Sequence, residues 1–306
     1  MALDLTGLSV YTDQNSTDLV RKAFLGARIF NHATVMSGIK YKEAIQLFET
    51  DAVLQAGGCG WSASGTTKLT QQDIEVAEFK VNEGICPDDL NKYWGQKLLN
   101  AGSYHEDLPF EAVYSEEKAQ KVAAEIERQI MVGSVAGGDL VDGAITKLDT
   151  TLSGDTVDGN PSSVTAITAS NIIGIVEDAI GVIPADLLEE EVTMYVGYDF
   201  YKLYNRALRA ANLFNNERFG DDNAPLYIQD IYGTNVKMVA IKPLNATNKF
   251  FITLEDNMRI GTDLESDWEE FKIFYSEDND EVRVRMKGKF GVTFVYPELV
   301  TYFKLA

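Results

Sequence analysis

Between residues 60 and 67 the sequence approaches two catalytic motifs and completes neither. Gly60 and Gly65 have the spacing of the glycines in a phosphate-binding loop, but Thr66 stands where a lysine must reach the phosphates. The same stretch begins like the turn that carries a hydrolase nucleophile, yet Ser64 occupies its second glycine position. We therefore interpret these residues as a flexible turn rich in small side chains.

Histidine and cysteine, the side chains that most often bind transition metals, are too few and too far apart in the sequence to predict a metal site. His32 and His105 are the only histidines, and neither has a nearby cysteine partner at ligand spacing. Cys59 and Cys86 are the only cysteines, which is too few for a disulfide framework in a chain of this size. We expect the histidines to be ordinary packing or surface residues and the cysteines to be buried thiols.

One acidic segment has a spacing with possible cation chemistry. Asp263, Glu265 and Asp267 alternate like the first three ligands of a calcium loop. Trp268 stands where the turn glycine belongs and Phe274 where the closing glutamate belongs, so a solvated acidic turn is favoured. Whether these three carboxylates bind a cation stays open. The sequence thus predicts no catalytic, cofactor-binding or metal site and no cofactor, and a carboxylate enzyme is left as an alternative.

A basic row lies near the end of the chain. Arg283, Arg285, Lys287 and Lys289 alternate with apolar residues, which predicts a strand with one basic face. A nucleic-acid strip would carry stacking aromatic side chains on the same face, and these are missing. The favoured interpretation is pairing with acidic surface on the same or a neighbouring subunit.

Composition limits the partners of the protein. The 306 residues include 27 basic and 47 acidic side chains, a net charge of −20, and are 45% hydrophobic. The charge disfavours nonspecific binding to nucleic acid or to an anionic membrane, and the apolar content is that of a protein with a real core. The most apolar stretch, residues 172–183, is interrupted by Glu177 and Asp178. We expect no membrane partner and a cytosolic chain.

A long amphipathic helix over residues 115–133 is the element around which the others are organised. Ser115 is a candidate N-cap and Gly133 a candidate left-handed stop. At 1.5 Å per residue the helix is about 30 Å long. A helix of this length is suited to supporting an extended structure. Its predicted buried stripe has three- and four-residue steps: Ala119, Val122, Ala123, Ile126 and Ile130.

The other elements are less uniform. Residues 41–54 are compatible with helix or strand, and residues 72–86 read as extended chain whose one-residue phase change indicates a bulge. A polar tract over residues 149–163 is the clearest candidate for a boundary between two parts of the chain. After it, Thr168 or Ser170 caps a helix that stops at Gly181, and a strand at 192–196 precedes a helix at 200–211. Further strands are predicted at 226–228, 236–241, 250–254, 271–275, 282–286 and 292–296.

Several short segments carry a family resemblance through their order and spacing. They are residues 123–130 with Gly133, then 142–143, 167–173, 195–197, 261–264, 289–292 and 296–300. In this order the chain resembles the major capsid proteins of tailed bacteriophages, which have the Hong Kong-97-type fold. The similarity extends from about residue 71 to residue 303.

The resemblance implies an α+β capsid fold in five parts. These are an N-terminal arm (1–40), an extended β-hairpin loop (41–112), a long spine helix with a peripheral domain (113–165), an axial domain (166–280) and a return to peripheral strands (281–306).

The resemblance also implies a function. It is that of a structural, non-enzymatic subunit that assembles as hexamers and pentamers into an icosahedral shell and encloses double-stranded DNA without sequence-specific contact. Expected partners are a portal and a separate scaffolding protein, and the expected location is the virion capsid, assembled in the host bacterial cytoplasm. Some members crosslink a loop lysine; Lys68 lies in this region, but nothing identifies a partner. An encapsulin-type compartment shares the fold and is the alternative.

Overall fold

The computed structural model describes residues 28–50, 53–55, 57, 64–85, 110–184, 187, 189–211, 227–263, 272–276, 278 and 281–306. These residues form an α+β structure, which confirms the predicted class. The helices are α1 (Phe110–Val132), α2 (Ala144–Asp149), α3 (Ile172–Gly181) and α4 (Tyr198–Ala210). The strands are β1 (Thr34–Met36), β2 (Lys42–Thr50), β3 (Thr67–Glu75), β4 (Ala77–Ile85), β5 (Val157–Asp158), β6 (Val192–Val196), β7 (Ile228–Asp230), β8 (Val236–Ala240), β9 (Phe250–Thr253), β10 (Met258–Thr262), β11 (Lys272–Ser276), β12 (Glu281–Phe294) and β13 (Thr301–Phe303).

The long helix is present, and every residue of its predicted stripe is buried. It begins at Phe110, so the prediction of Ser115 as its N-cap is wrong; no glycine or proline interrupts the chain between Pro109 and Ser115. Gly133 follows the helix without a left-handed φ, which corrects its predicted role. Its Cβ would lie 2.6 Å from the carbonyl oxygen of Val141, so glycine is needed there for close packing of two chain segments.

A six-stranded sheet has the order β5-β13-β9-β6-β8-β7 and packs against α3 and α4. The strand predicted at 192–196 is confirmed, and the one predicted at 226–228 lies two residues later. Neither Thr168 nor Ser170 caps α3 with its side chain, because Asn171 precedes the helix. The Oδ1 atom of Asn171 accepts the backbone N–H of Thr168 at 2.7 Å and so closes a turn before the helix.

A five-stranded sheet is built around β12, which pairs with β4, β10 and β11, while β1 pairs with β10. We predicted two strands, at 282–286 and 292–296, but β12 is one strand of 14 residues. Gly288 and Gly291 do not break it because each has a cross-strand partner, Phe79 and Gly261 respectively. One face of β12 is buried in the same core cluster as α1: Val284, Met286, Phe290, Val292 and Phe294.

The bulge predicted within residues 72–86 is instead a change of strand at Val76. β3 pairs with β2, whereas β4 pairs with β12, so the chain changes partner at this residue. Val76 and Ile74 pack with Ile39 in a small cluster of their own. The ambiguous segment 41–54 contains strand β2.

Strand pairing also crosses the predicted domain boundary at residues 280/281. β10 lies in the five-stranded sheet although residues 166–280 were expected to form one domain, and β13 lies in the six-stranded sheet. The five-part division therefore stays a prediction.

A buried amide joins the ends of the two sheets. The Nδ2 atom of Asn257 donates to Thr253 Oγ1 and to Tyr296 O, both at 2.9 Å, and its Oδ1 accepts from Tyr296 N at 2.7 Å. Asn257→Leu is expected to lower the free energy of unfolding by about 2 kcal/mol, because it leaves buried polar groups without partners. Urea denaturation of the unassembled subunit measures this, and an unchanged midpoint would contradict it.

Candidate assembly surface

Strands β2 and β3 form a hairpin ribbon that no other strand of the described residues joins. They pair antiparallel over nine residue pairs, from Lys42 opposite Glu75 to Thr50 opposite Thr67. At about 3.4 Å per residue the ribbon is about 30 Å long. A two-stranded ribbon is at best marginally stable in water, so its stability depends on something packed against it.

The outer part of this ribbon exposes large apolar side chains. Phe48 and Leu69 are register partners on one face, and they are 65% and 71% exposed. Val53 and Leu54 lie just beyond the end of β2, and Leu54 is 98% exposed. Clustered apolar exposure of this kind is typical of an interaction site. We call these four residues the apolar tip.

Sequence reasoning missed the apolar tip. Phe48 fell in the segment whose structure could not be decided, and exposure is not visible in a short apolar run. One signal was available: Leu69 is the only large apolar residue between Ser64 and Asp73. An isolated leucine in a polar strand does not by itself show that phenylalanine stands opposite.

The root of the hairpin lies directly on the five-stranded sheet. Gly261 and Gly291 are register partners there. A Cβ on Gly291 would lie 2.0 Å from the carbonyl oxygen of Glu75, and one on Gly261 would lie 2.8 Å from Ile74 Cδ1. The two glycines therefore form a saddle that lets the chain cross the sheet at close range. The backbone N–H of Val76 donates to Tyr41 O at 2.9 Å just beside it.

The basic row lies on the same face of β12 as Gly291. Its members are partly buried, and Lys287 stands opposite Lys80 in the register. Lys289 binds the carboxylates of Asp263 at 2.6 Å and Glu78 at 3.3 Å, and Arg283 lies 3.5 Å from Glu281. These ion pairs support pairing with acidic groups of the same subunit.

The Asp263 carboxylate forms an ion pair with Lys289. Its side chain is almost completely buried, and the hydrogen bond to it raises the pKa of Lys289. Glu265 and Asp267 lie outside the described residues, so the three candidate calcium ligands are not brought together in the part that is described. Across that part no cluster of three or more acidic, histidine or cysteine side chains could hold a metal ion.

Most of the other residues considered for catalysis or metal binding lie outside the described ranges. Gly60, Cys59, Cys86 and His105 lie outside the described residues. His32 is buried, and its Nδ1 lies 2.9 Å from Glu255 Oε1.

Lys68, the lysine of the predicted loop region, is exposed on β3, opposite Glu49 in the register.

None of the helices in the described ranges has the length and apolarity to cross a membrane.

No protein-family model and no curated protein sequence matches the chain. Solved structures do match it. A chain of the satellite phage P4 procapsid including the size determination (Sid) protein is 13% identical with a TM-score of 0.59, and 94% of this chain and 91% of that one are covered. A chain from the capsid of the native GTA particle is 12% identical with a TM-score of 0.54, covering 93% and 90%. The virus-like particle from Pyrococcus furiosus is 9% identical with a TM-score of 0.53, covering 96% and 98%.

These matches define the class of the fold as that of capsid shells. Within that class the chain has the phage major capsid fold, which confirms the resemblance in the sequence at the level of fold. At identities of 9–13% the comparison concerns the fold alone.

Proposed function

We propose that the protein is the major capsid protein of a tailed bacteriophage, a structural subunit that assembles as hexamers and pentamers into an icosahedral shell around double-stranded DNA. The observation that carries the proposal is the apolar tip of the β2–β3 ribbon, which the described part of the chain leaves uncovered. On a capsid fold, a neighbouring subunit is the partner that would cover it.

The charge of the subunit supports enclosure of DNA without binding to it. A net charge of −20 repels phosphates at short range, and two members of the basic row are paired with carboxylates of their own chain. No enzymatic step is part of this proposal. The five-part domain division, a portal and a separate scaffolding protein as partners, and assembly in the bacterial cytoplasm belong to it as well.

Negative-stain electron microscopy of the expressed protein tests the proposal. We expect closed shells, tubes or regular hexamers and pentamers, formed by the protein alone or with the products of its neighbouring genes. A monodisperse monomer in every condition, including with a scaffolding protein present, would overturn it and return attention to a carboxylate enzyme.

The alternative is an encapsulin-type compartment. It shares the fold, and the match to the Pyrococcus furiosus virus-like particle is compatible with both functions because at 9% identity it concerns the fold alone. The contents of purified particles distinguish the two functions. Nuclease-protected DNA of uniform length supports the capsid, whereas a co-purified cargo enzyme encoded beside the gene supports the compartment.

A further inference from the structure

The described chain begins with a short segment, residues 28–34, that several parts of the protein hold in place. It starts with a 3-10 turn, Arg28–Asn31, and runs into β1. The hydroxyl of Tyr195 donates to the carbonyl oxygen of His32, and Thr34 Oγ1 donates to Asp256 Oδ1 at 2.7 Å. Residues 28–34 are therefore docked between the long helix and the six-stranded sheet.

Glu127 of α1 faces the start of this segment. The backbone of Ile29 and Arg28 lies near its carboxylate and favours the charged form of the group. The residue is only 8% exposed, and its Oε1 atom has no hydrogen-bond partner among the described residues. A buried carboxylate held in this way is costly unless it is neutralised.

The charged groups that face Glu127 do not neutralise it with an ion pair in the described structure. They are Arg28 and Lys242, the latter in a 3-10 turn that packs against α1. The guanidinium of Arg28 is directed elsewhere: it donates to the hydroxyl of Tyr198 and lies 4.5 Å from the ring centre of Tyr227. Protonation is the remaining route to neutrality.

We propose that Glu127 is a proton-dependent latch: residues 28–34 dock on the long helix with this carboxyl protonated, and their release is coupled to loss of the proton. Burial is the largest influence on the group and raises the pKa of Glu127 above its ordinary value of 4.5. After release the carboxyl meets water and this pKa returns toward that value. The docked state then binds more protons, so docking weakens as the pH rises through the interval between the two pKa values.

The carboxyl of Glu255, which contacts His32 of the segment, acts in a different pH range. The hydrogen bond from His32 lowers the pKa of Glu255, and Thr193 and Lys237 also favour its charged form. The contribution of Glu255 to docking is therefore present above its ordinary pKa and is lost only as the pH falls through the lowered value. Tyr195, which bonds to His32 O, has its pKa raised by burial and stays neutral throughout.

Hydrogen exchange of the full-length protein tests the latch. Protection of a peptide covering residues 28–34, corrected for intrinsic exchange rates, is measured between pH 5 and pH 8. In the unmodified protein we expect protection to fall as the pH rises, by up to about tenfold per pH unit at the steepest point for one proton. In Glu127→Gln, whose amide cannot ionise and keeps an acceptor oxygen, protection should be independent of pH.

Two variants separate Glu127 from its neighbours. Glu125→Gln removes a carboxyl from the exposed side of the same helix, where it binds Arg128, and should leave the slope unchanged. His32→Gln should also keep the slope. A flat or rising profile in the unmodified protein overturns the proposal even if Glu127→Gln fails to fold, and so does a slope that vanishes in His32→Gln but persists in Glu127→Gln.

Discussion

Gly291→Ala is expected to lower the free energy of unfolding by at least about 3 kcal/mol, the upper part of the range for overpacking. The new methyl group would lie 2.0 Å from the carbonyl oxygen of Glu75, and that oxygen belongs to backbone. Relief requires the hairpin root to lift from the sheet, which would also separate the cluster of Ile39, Ile74 and Val76. Urea denaturation of the unassembled subunit gives the stability change.

Alanine substitutions at two other glycines provide comparisons for this result. Gly174 lies within α3 with nothing within 4 Å of a Cβ, so Gly174→Ala should stabilise the protein by about 0.5–1 kcal/mol. Gly261→Ala should destabilise less than Gly291→Ala, because the groups it meets are side-chain methyls at 2.8–3.0 Å and not a backbone carbonyl oxygen at 2.0 Å. Equal stabilities of the Gly291 and Gly174 variants would show that the close crossing is not as described.

The second large effect concerns assembly. Phe48→Glu combined with Leu69→Glu is expected to reduce the yield of closed shells at least about tenfold, because two carboxylates would be placed in a contact that should be dry. The unfolding midpoint of the isolated subunit should hardly change, since both side chains are largely exposed within it. Shell yield is measured by sedimentation and electron microscopy.

A matched control lies two positions nearer the root of the ribbon. Gln46 and Gln71 are register partners on the same face as Phe48 and Leu69, and both are exposed. Gln46→Glu with Gln71→Glu adds the same charge without touching the apolar tip and should leave shells largely intact. Normal assembly of the Phe48/Leu69 variant, or equal loss in the control, would remove the apolar tip from the assembly surface.

Local pattern was enough to predict three of the four described helices and many strands, but not the six-residue helix α2. The stripe on α1 and the apolar spacing of α4 are helical periods set by the side chains themselves, and they were located within a few residues. The phase change within residues 72–86 was also visible in local alternation, because a one-residue change of phase turns each side chain to the other face; that it marks a change of strand and not a bulge was not visible.

Pairing between distant segments could not be read from the sequence. β1, β10 and β13 are three to five residues long and were missed, since such strands are stabilised mainly by neighbours far along the chain. The same reason explains why β12 was divided in two at its glycines. The saddle is a further case: both glycines lie in segments that carried the family resemblance, but the need for them appears only when Glu75 is placed above Gly291.

The pairing of β4 with β12 has a consequence for how the protein is made. Ala77 meets Phe290, about 200 residues later in the chain. At 5–20 residues per second the ribosome needs about 10–40 s to span that interval, whereas a hairpin forms in microseconds. The ribbon can therefore exist for many seconds without the sheet that supports its root, with the apolar tip open to chaperones or to aggregation. Synthesis of the last strands thus sets the earliest moment at which a subunit is complete enough to meet another.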